Sequence, residues 1–367
     1  MFRIILLSIC TLMHAYVFWR FSSVPFLTRH VSHRVIFFVA FGLWALLFVG
    51  LFWGHHKTGV LAATLELLGM NWLGMLLLAF TFLLAVDLLT GFSFLFQRIA
   101  PTLRGWALLT AGILSVVAMA QGLRSPVVEN YEVALRDLPA DMDGTVIVGL
   151  SDTHLGSLLG KGWLRKVVSQ VNALKPDMVV LLGDILGGHE ASHQGLIPIF
   201  KQLSAPLGVW AVPGNHESYG NYGAAIRLME QAGFRALVSR WKEIRPGFTV
   251  AGVEDLTTLR RRGIEGDQVK RALHGHPSGT TILLSHTPWQ TEAAAAAGVD
   301  LMLCGHTHGG QIWPFGYLVR LVYPMLAGEY RMDGMTLIVC RGTGTWGPRM
   351  RLWHPGEISR ITLRRKK

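Results

Sequence analysis

Five short apolar runs between residues 145 and 305 of this chain each lead into aspartate, asparagine or histidine. Asp152 and His154 follow TVIVGL, Asp184 follows DMVVLL, and Asn215 and His216 follow GVWAVP. His286 follows TILLS, and His306 and His308 follow DLMLC. Carboxylate, amide and imidazole donors without thiolate suit manganese, iron, zinc, nickel or cobalt better than a cysteine-rich structural zinc site. One such residue at a strand end is ordinarily a cap or a satisfied polar group, whereas the recurrence points to one shared site. On extended backbone, residues i and i+2 face the same side roughly 7 Å apart, so Asp152 with His154, and His306 with His308, can reach inward together. Two metals held ~3.5–4 Å apart need a bridging group. Asp184, alone on its strand end, is the candidate.

These side chains need a scaffold that brings five strand ends together. The runs at 145–150, 177–183, 208–214, 281–286 and 300–305 read as buried strands, and 248–255, MTLIVC and ISRITL as further ones. Helices are expected near Leu164–Leu174, Tyr222–Ala232, Asp267–Leu273 and Trp289–Ala297. Such alternation predicts an α/β fold whose site lies at the carboxyl ends of its strands.

Taken in order, SDTHLG, GDI, GNHE, SHTP and GHTHGGQ closely resemble the motifs of calcineurin-like metallophosphoesterases, from about Thr145 to Leu363. GHTHGGQ, with the closing GTGTWGPRMRLWHPGEISRITL, is similar to the bacterial branch that includes the membrane-associated YkuE and YaeI type proteins. The resemblance implies a four-layer αββα sandwich and two divalent metal ions, manganese foremost and iron, zinc, nickel or cobalt as alternatives. It implies that Asp152, His154, Asp184 and His308 hold one metal, and Asp184, Asn215, His286 and His306 the other. His216 is implied as a catalytic histidine that assists the leaving oxygen without ligating. Bound metals would lower the pKa of water enough to supply hydroxide near neutrality for in-line attack on phosphorus.

One departure matters. Protein phosphatases of this superfamily continue GD into GDxVDRG, which supplies an acid that orients the catalytic histidine, whereas this chain reads GDILGGHE. That argues against a phosphoprotein phosphatase and leaves the residue that orients His216 unassigned, Glu217 being adjacent in sequence. His189, His193, His274, His276 and His354 follow no strand-like run and read as surface or loop residues. Tyr219, Trp313, Tyr317, Trp346 and Trp353 read as packing. Arg341, Arg349 and Arg351 are weighed as a phosphate clamp against the ordinary reading of solvated arginines.

The first third is different. Apolar residues make up 51% of the whole chain, and the excess lies in four stretches near the ~20 residues that cross a hydrocarbon core. These are 4–19, 35–53, 68–90 and 105–122, read as four transmembrane helices. Three further spans follow the first, which sets aside a cleavable signal peptide. Glu66 and Asp87 would be costly facing lipid, so they are expected at the interface or inside the bundle. Residues 124–143, polar and interrupted by Pro126 and Pro139, read as a linker, and 144–367 as the catalytic domain. Much of the net charge of +11 sits beside the spans and in the LRRKK tail, which fits anionic lipid better than nucleic acid. Arg20, Arg29, Arg34, Arg98 and Arg104 in alternate loops, against Arg3, Lys57, Arg124 and Arg136 on the other side, favour an extracytoplasmic catalytic domain in a multi-pass cell-membrane protein. Cys10, Cys304 and Cys340 read as buried free thiols.

The expected function is a membrane-anchored, dinuclear-metal hydrolase of phosphodiester, pyrophosphate or phosphomonoester bonds, with lipid-linked or nucleotide-linked substrates foremost. A nuclease or cyclic-nucleotide phosphodiesterase would use the same centre. A non-catalytic membrane scaffold is a third reading, against which the intact ligand set stands.

Overall fold

The computed structural model describes residues 2–55, 57–187, 194–219 and 221–366. The chain divides into two compact units, Met1–Leu123 with Gly347–Trp353, and Arg124–Trp346 with His354–Lys367.

The first unit contains helices α1 (Phe2–Phe21), α2 (Pro25–His30), α3 (His33–Val49), α4 (Val60–Leu89) and α5 (Ala100–Gly122), with a π-helical turn at Gly50–Gly54 continuing α3. Among the described residues, three stretches are long and apolar enough to cross a membrane: His33–Gly54, Val60–Leu89 and Ala100–Gly122. Within α1 the stretch Ile5–Phe21 is apolar but shorter, so among the described residues three of the four expected spans meet both criteria. Phe37, Phe38 and Trp106 turn outward, while Gly50 and Gly69 let α3 and α4 approach so closely that a Cβ on Gly69 would stand 3.3 Å from the Gly50 Cα. Asp87 is fully buried. Its Oδ1 accepts from Nε and Nη2 of Arg104 at 2.9 and 2.7 Å, and its Oδ2 accepts from the Tyr16 hydroxyl at 2.5 Å beside Nε of Arg20 at 2.5 Å. Glu66 is buried beside His55, 2.7 Å away. Both acids therefore face the bundle, where two arginines and a tyrosine around Asp87 and an imidazole beside Glu66 offset the cost of desolvating a carboxylate.

The second unit holds twelve strands among the described residues: β1 (Val127–Leu135), β2 (Val146–Leu150), β3 (Met178–Leu182), β4 (Val209–Val212), β5 (Arg235–Ala236), β6 (Arg240–Arg245), β7 (Phe248–Gly252), β8 (Thr280–Leu284), β9 (Leu301–Cys304), β10 (Gly328–Met332), β11 (Met335–Val339) and β12 (Glu357–Arg365). They form two six-stranded sheets, ordered β1-β12-β2-β3-β4-β5 and β10-β11-β9-β8-β7-β6. The pairs β2–β3, β3–β4, β7–β8 and β8–β9 are all parallel, so the strand ends that carry the polar residues share a direction within each sheet.

Alternation along the strands explains the layering. In the first sheet Val148, Leu150, Val179 and Leu181 face outward into a core with Leu164, Val167, Val168 and Val171 of α6 (Lys161–Ala173). That core also takes in Ile199 and Phe200 of α7 (Ile197–Phe200) and Leu228 and Met229 of α8 (Tyr222–Gln231). Ile147, Met178, Val180, Leu182 and Val212 face the other way and pack on Val250, Ile282, Leu284, Leu301 and Leu303 of the second sheet. On the far face of that sheet Ala251, Leu283, Met302 and Leu337 meet Val269 and Ala272 of α10 (Gln268–Ala272) and Ala294 of α11 (Thr291–Ala296). Two short helices lie between these elements in sequence, α9 (Leu256–Arg261) and, later, α12 (Phe315–Arg320). The result is the expected sequence of helix, sheet, sheet and helix.

The expectation for 124–143 is corrected. Val127–Leu135 is not linker but strand β1, paired in parallel along its length with β12 from Val127–Glu357 to Leu135–Arg365. Its alternation is weak because only Val133 and Leu135 of the strand are buried. Strands β5, β6 and β10, absent from the sequence reading, are short or expose polar faces.

Candidate metal centre

Each expected ligand sits just past a buried strand, where the chain must turn sharply. Asp152 follows β2, Asp184 follows β3, Asn215 and His216 follow β4, His286 follows β8, and His306 and His308 follow β9. Five of them occupy the left-handed region: Asp152 (φ 52°), His154 (42°), Asp184 (50°), His306 (73°) and His308 (51°). Non-glycine residues avoid that region, and such strain persists only where the surroundings over-determine it. It also corrects the extended geometry assumed for the i, i+2 pairs, since the inward aim comes from left-handed turns. Gly214 and Gly305 are required by crowding, because a Cβ on Gly214 would overlap the Asp184 carboxylate and one on Gly305 the Ser151 hydroxyl.

Donor atoms of Asp152, His154 and His308, of His154, Asp184 and His216, and of Asp184, His286 and His306 form three groups, each within 4.8 Å. Asp184 belongs to two of them. Its Oδ2 lies 3.3 Å from His286 Nε2, 3.8 Å from His154 Nε2 and 3.9 Å from His216 Nε2. Nε2 of His154 faces Nε2 of His308 at 3.1 Å, and Asp152 Oδ1 lies 3.4 Å from His308 Nε2. On the other side His286 Nε2 stands 3.2 Å from Asn215 Oδ1 and 3.0 Å from His306 Nδ1.

Outer contacts fix which atoms face inward. A carbonyl only accepts, so the 2.7 Å contact of His286 Nδ1 with the Leu182 carbonyl places a proton on Nδ1 and leaves Nε2 as the ring nitrogen that faces Asp184 and Asn215. Asn215 Nδ2 donates to the Tyr219 hydroxyl at 2.9 Å, which turns Oδ1 inward. The Tyr323 hydroxyl holds His306 Nε2 at 2.8 Å, leaving Nδ1 for the site. Asp152 Oδ2 is occupied by the His306 N–H at 2.9 Å and the Ser151 hydroxyl. Its Oδ1 is buried and accepts no hydrogen bond among the described residues.

The electrostatics match a site built for cations. Burial pushes Asp152 up to about 6, against the pull of His286. Burial and the neighbouring His216 hold His154 well below the ordinary imidazole value, and burial and His286 push His306 down to about 4. For Asp184 burial opposes ionisation, but His286 and His216 prevail and keep it low. His286 is the reverse case: burial disfavours its charge, yet Asp184 raises it well above the usual range. Converging lone pairs, a buried carboxylate oxygen without a donor and an oxygen and nitrogen donor set without thiol all fit divalent metals. Cys304 and Cys340 are buried and free.

Glu217 does not orient His216. Buried and turned away, it accepts N–H bonds from Gly214 (2.8 Å), Asp184 (2.9 Å), Ile185 (2.9 Å) and Leu186 (3.0 Å), tying the loops after β3 and β4 together. Tyr219, read as packing, fixes the amide of Asn215. Arg341 is engaged by Glu357 and Glu129, and Arg349 and Arg351 belong to the first unit. His274, His276 and His354 join none of the three groups, and His189 and His193 lie outside the described residues. The sequence reading passed over Tyr323, Asp255 and the run Arg260–Arg262; the only advance signal was that run's place a few residues past a buried strand.

The model of the calcineurin-like phosphoesterases matches residues 145–310. A transmembrane protein with metallophosphoesterase domain from Danio rerio is 34% identical over 70% of this chain, which spans 62% of that protein's length. An uncharacterized metallophosphoesterase from Aquifex aeolicus is 33% identical, covering 65% of this chain and 92% of its own. The uncharacterized metallophosphoesterase YkuE of Bacillus subtilis is 31% identical over 70% of this chain and 93% of its own. With this likeness spanning the strands that carry every residue of the site, the chain belongs to the calcineurin-like metallophosphoesterase family.

Proposed function

We propose that this protein hydrolyses phosphoester bonds at a two-metal centre, with Asp152, His154, Asp184 and His308 holding one ion and Asp184, Asn215, His286 and His306 the other. The observation that carries the reading is the sharing of Asp184 Oδ2 between two donor groups. Divalent ions bound there would polarise the phosphoryl oxygens and make water nucleophilic near neutrality. His216 stands at the rim, its Nε2 aimed toward Asp184 Oδ2 at 3.9 Å, and delivers a proton to the leaving oxygen. Buried ligands and their outer partners hold this geometry before substrate arrives, which limits reorganisation during the reaction. Manganese is the metal we favour.

The three long apolar stretches and the similarity to transmembrane relatives support membrane anchoring, with the catalytic unit outside the cytoplasm. Tethering beside a bilayer favours a lipidic or amphipathic phosphodiester. Purified full-length protein loaded with Mn²⁺ is expected to hydrolyse bis(4-nitrophenyl) phosphate and to prefer a lipid-linked diester over its soluble analogue. No turnover of any diester with any of the five metals overturns the enzymatic reading; equal rates on the two diesters overturn only the lipid preference.

A further inference from the structure

A cleft of about 380 Å³ opens beside His306, lined also by Thr257, Arg260, Arg261, Trp289 and Tyr323. A row of stacked groups leads into it from the metal centre. Tyr323 meets His306 edge-on with ring centroids 4.9 Å apart and stacks on Trp289 at 5.3 Å with planes 19° apart. The Arg260 guanidinium lies over Trp289 at 5.4 Å, and that of Arg261 over Tyr219 at 5.1 Å. Arg261 Nη1 also donates to the Tyr219 hydroxyl at 2.8 Å, the same oxygen that holds Asn215.

These two arginines are set apart from their neighbour. Arg262 pairs with Glu254 at 3.5 Å, whereas among the described residues no carboxylate lies within 4.0 Å of Arg260 or Arg261. A guanidinium positioned over an aromatic ring can still offer N–H groups to a planar or tetrahedral oxyanion, and Arg261 keeps donors beyond the Nη1 contact with Tyr219. Helix α9, which carries both, is anchored by the buried Asp255, whose Oδ2 accepts from the Thr257 hydroxyl and the Thr258 N–H at 2.6 and 2.7 Å. Two uncompensated positive charges therefore stand on a fixed support within reach of the candidate metal ligands.

We propose that the cleft is a subsite for a second phosphate of the substrate, carried beyond the phosphorus that is attacked and bound by Arg260 with Arg261. The subsite rests on the phosphoesterase reading of the adjacent centre and deepens it. A diester with a single charge would leave the guanidinium pair without a counterion, so the second phosphate acts on specificity, principally through KM.

The test compares three 4-nitrophenyl phosphodiesters whose second arms have matched length and end in a phosphate, a carboxylate or a hydroxyl, on the manganese-loaded full chain. Wild type is expected to favour the phosphate-tipped substrate over the hydroxyl-tipped one by at least about tenfold in kcat/KM. In Arg260→Ala the ratio should fall to about twofold or less, with Arg260→Lys intermediate. A carboxylate arm that performs as well as the phosphate, or a preference that survives in Arg260→Ala, overturns the assignment. Calorimetric titration of metal-stripped protein with inorganic phosphate is an independent arm, in which binding should weaken at least about fivefold in Arg260→Ala. If wild type cleaves none of the diesters, the phosphoesterase reading fails and the titration alone decides the subsite, unchanged binding in the variant overturning it.

Discussion

The backbone N–H of His216 donates to Oδ1 of Asp184 at 2.8 Å, while the His216 ring Nε2 stands 3.9 Å from Oδ2 of the same carboxylate. One oxygen of Asp184 is thereby pinned to the loop after β4, and the other can only face His154, His216 and His286. The carboxylate that the two donor groups share cannot rotate away, and the peptide that pins it belongs to the histidine proposed to act on the leaving group.

Replacing that histidine separates metal binding from turnover. His216→Ala keeps the backbone N–H that holds Asp184, so two metals per chain are expected to remain while kcat falls by about 10² to 10⁴. Metal analysis alongside steady-state kinetics makes the check. Loss of a metal in step with activity would place His216 among the ligands instead.

Tyr219 acts through Asn215. In Tyr219→Phe the Asn215 amide loses the acceptor at 2.9 Å that sets its orientation, and affinity for one of the two metals is expected to fall about 10- to 100-fold. The other metal should bind as in wild type. Titration of stripped protein, with Tyr219→Leu beside it to separate loss of the hydroxyl from loss of the ring, reads the difference; two unaltered sites in Tyr219→Phe contradict the role.

Glu217 is a structural clamp. An amide in its place turns an NH2 group toward some of the four N–H donors it now satisfies. Glu217→Gln is expected to lose about 1–3 kcal/mol of stability. Thermal denaturation of the full chain measures this, and a variant as stable as wild type shows that the carboxylate is dispensable.

Asp255 gives a pH signature. Burial disfavours its ionisation, yet His286 and the Thr257 and Thr258 hydrogen bonds hold its carboxyl below the ordinary range. A depressed folded value means that the stabilisation is present above the unfolded value of about 3.9 and is lost as the pH falls through the folded one. Asp255→Asn should therefore be less stable than wild type near neutrality by about 1 kcal/mol, with the gap closing in acid. A constant gap across urea denaturation curves from neutral to acid pH argues against it.

The strands under the site were legible because β2, β3, β4, β8 and β9 are buried almost throughout and so appear as mainly apolar runs, each leading into a polar residue of the site. Strand β1 was not legible: it lies at a sheet edge, and its partner β12 is more than two hundred residues away, so no local pattern announces it. Adjacency gave no direction for Glu217, since consecutive residues in a turn point to opposite sides. Tyr219 and Tyr323 act through their hydroxyl groups, which composition cannot distinguish from packing.

Metal content of the purified full-length chain, measured with diester hydrolysis for wild type and Asp184→Asn, tests the central claim most directly. Wild type should hold two divalent ions per chain, and Asp184→Asn one or none, with activity lower by at least about a hundredfold. Two ions retained in Asp184→Asn, or a single ion in a fully active wild type, would contradict a centre built around a shared Asp184.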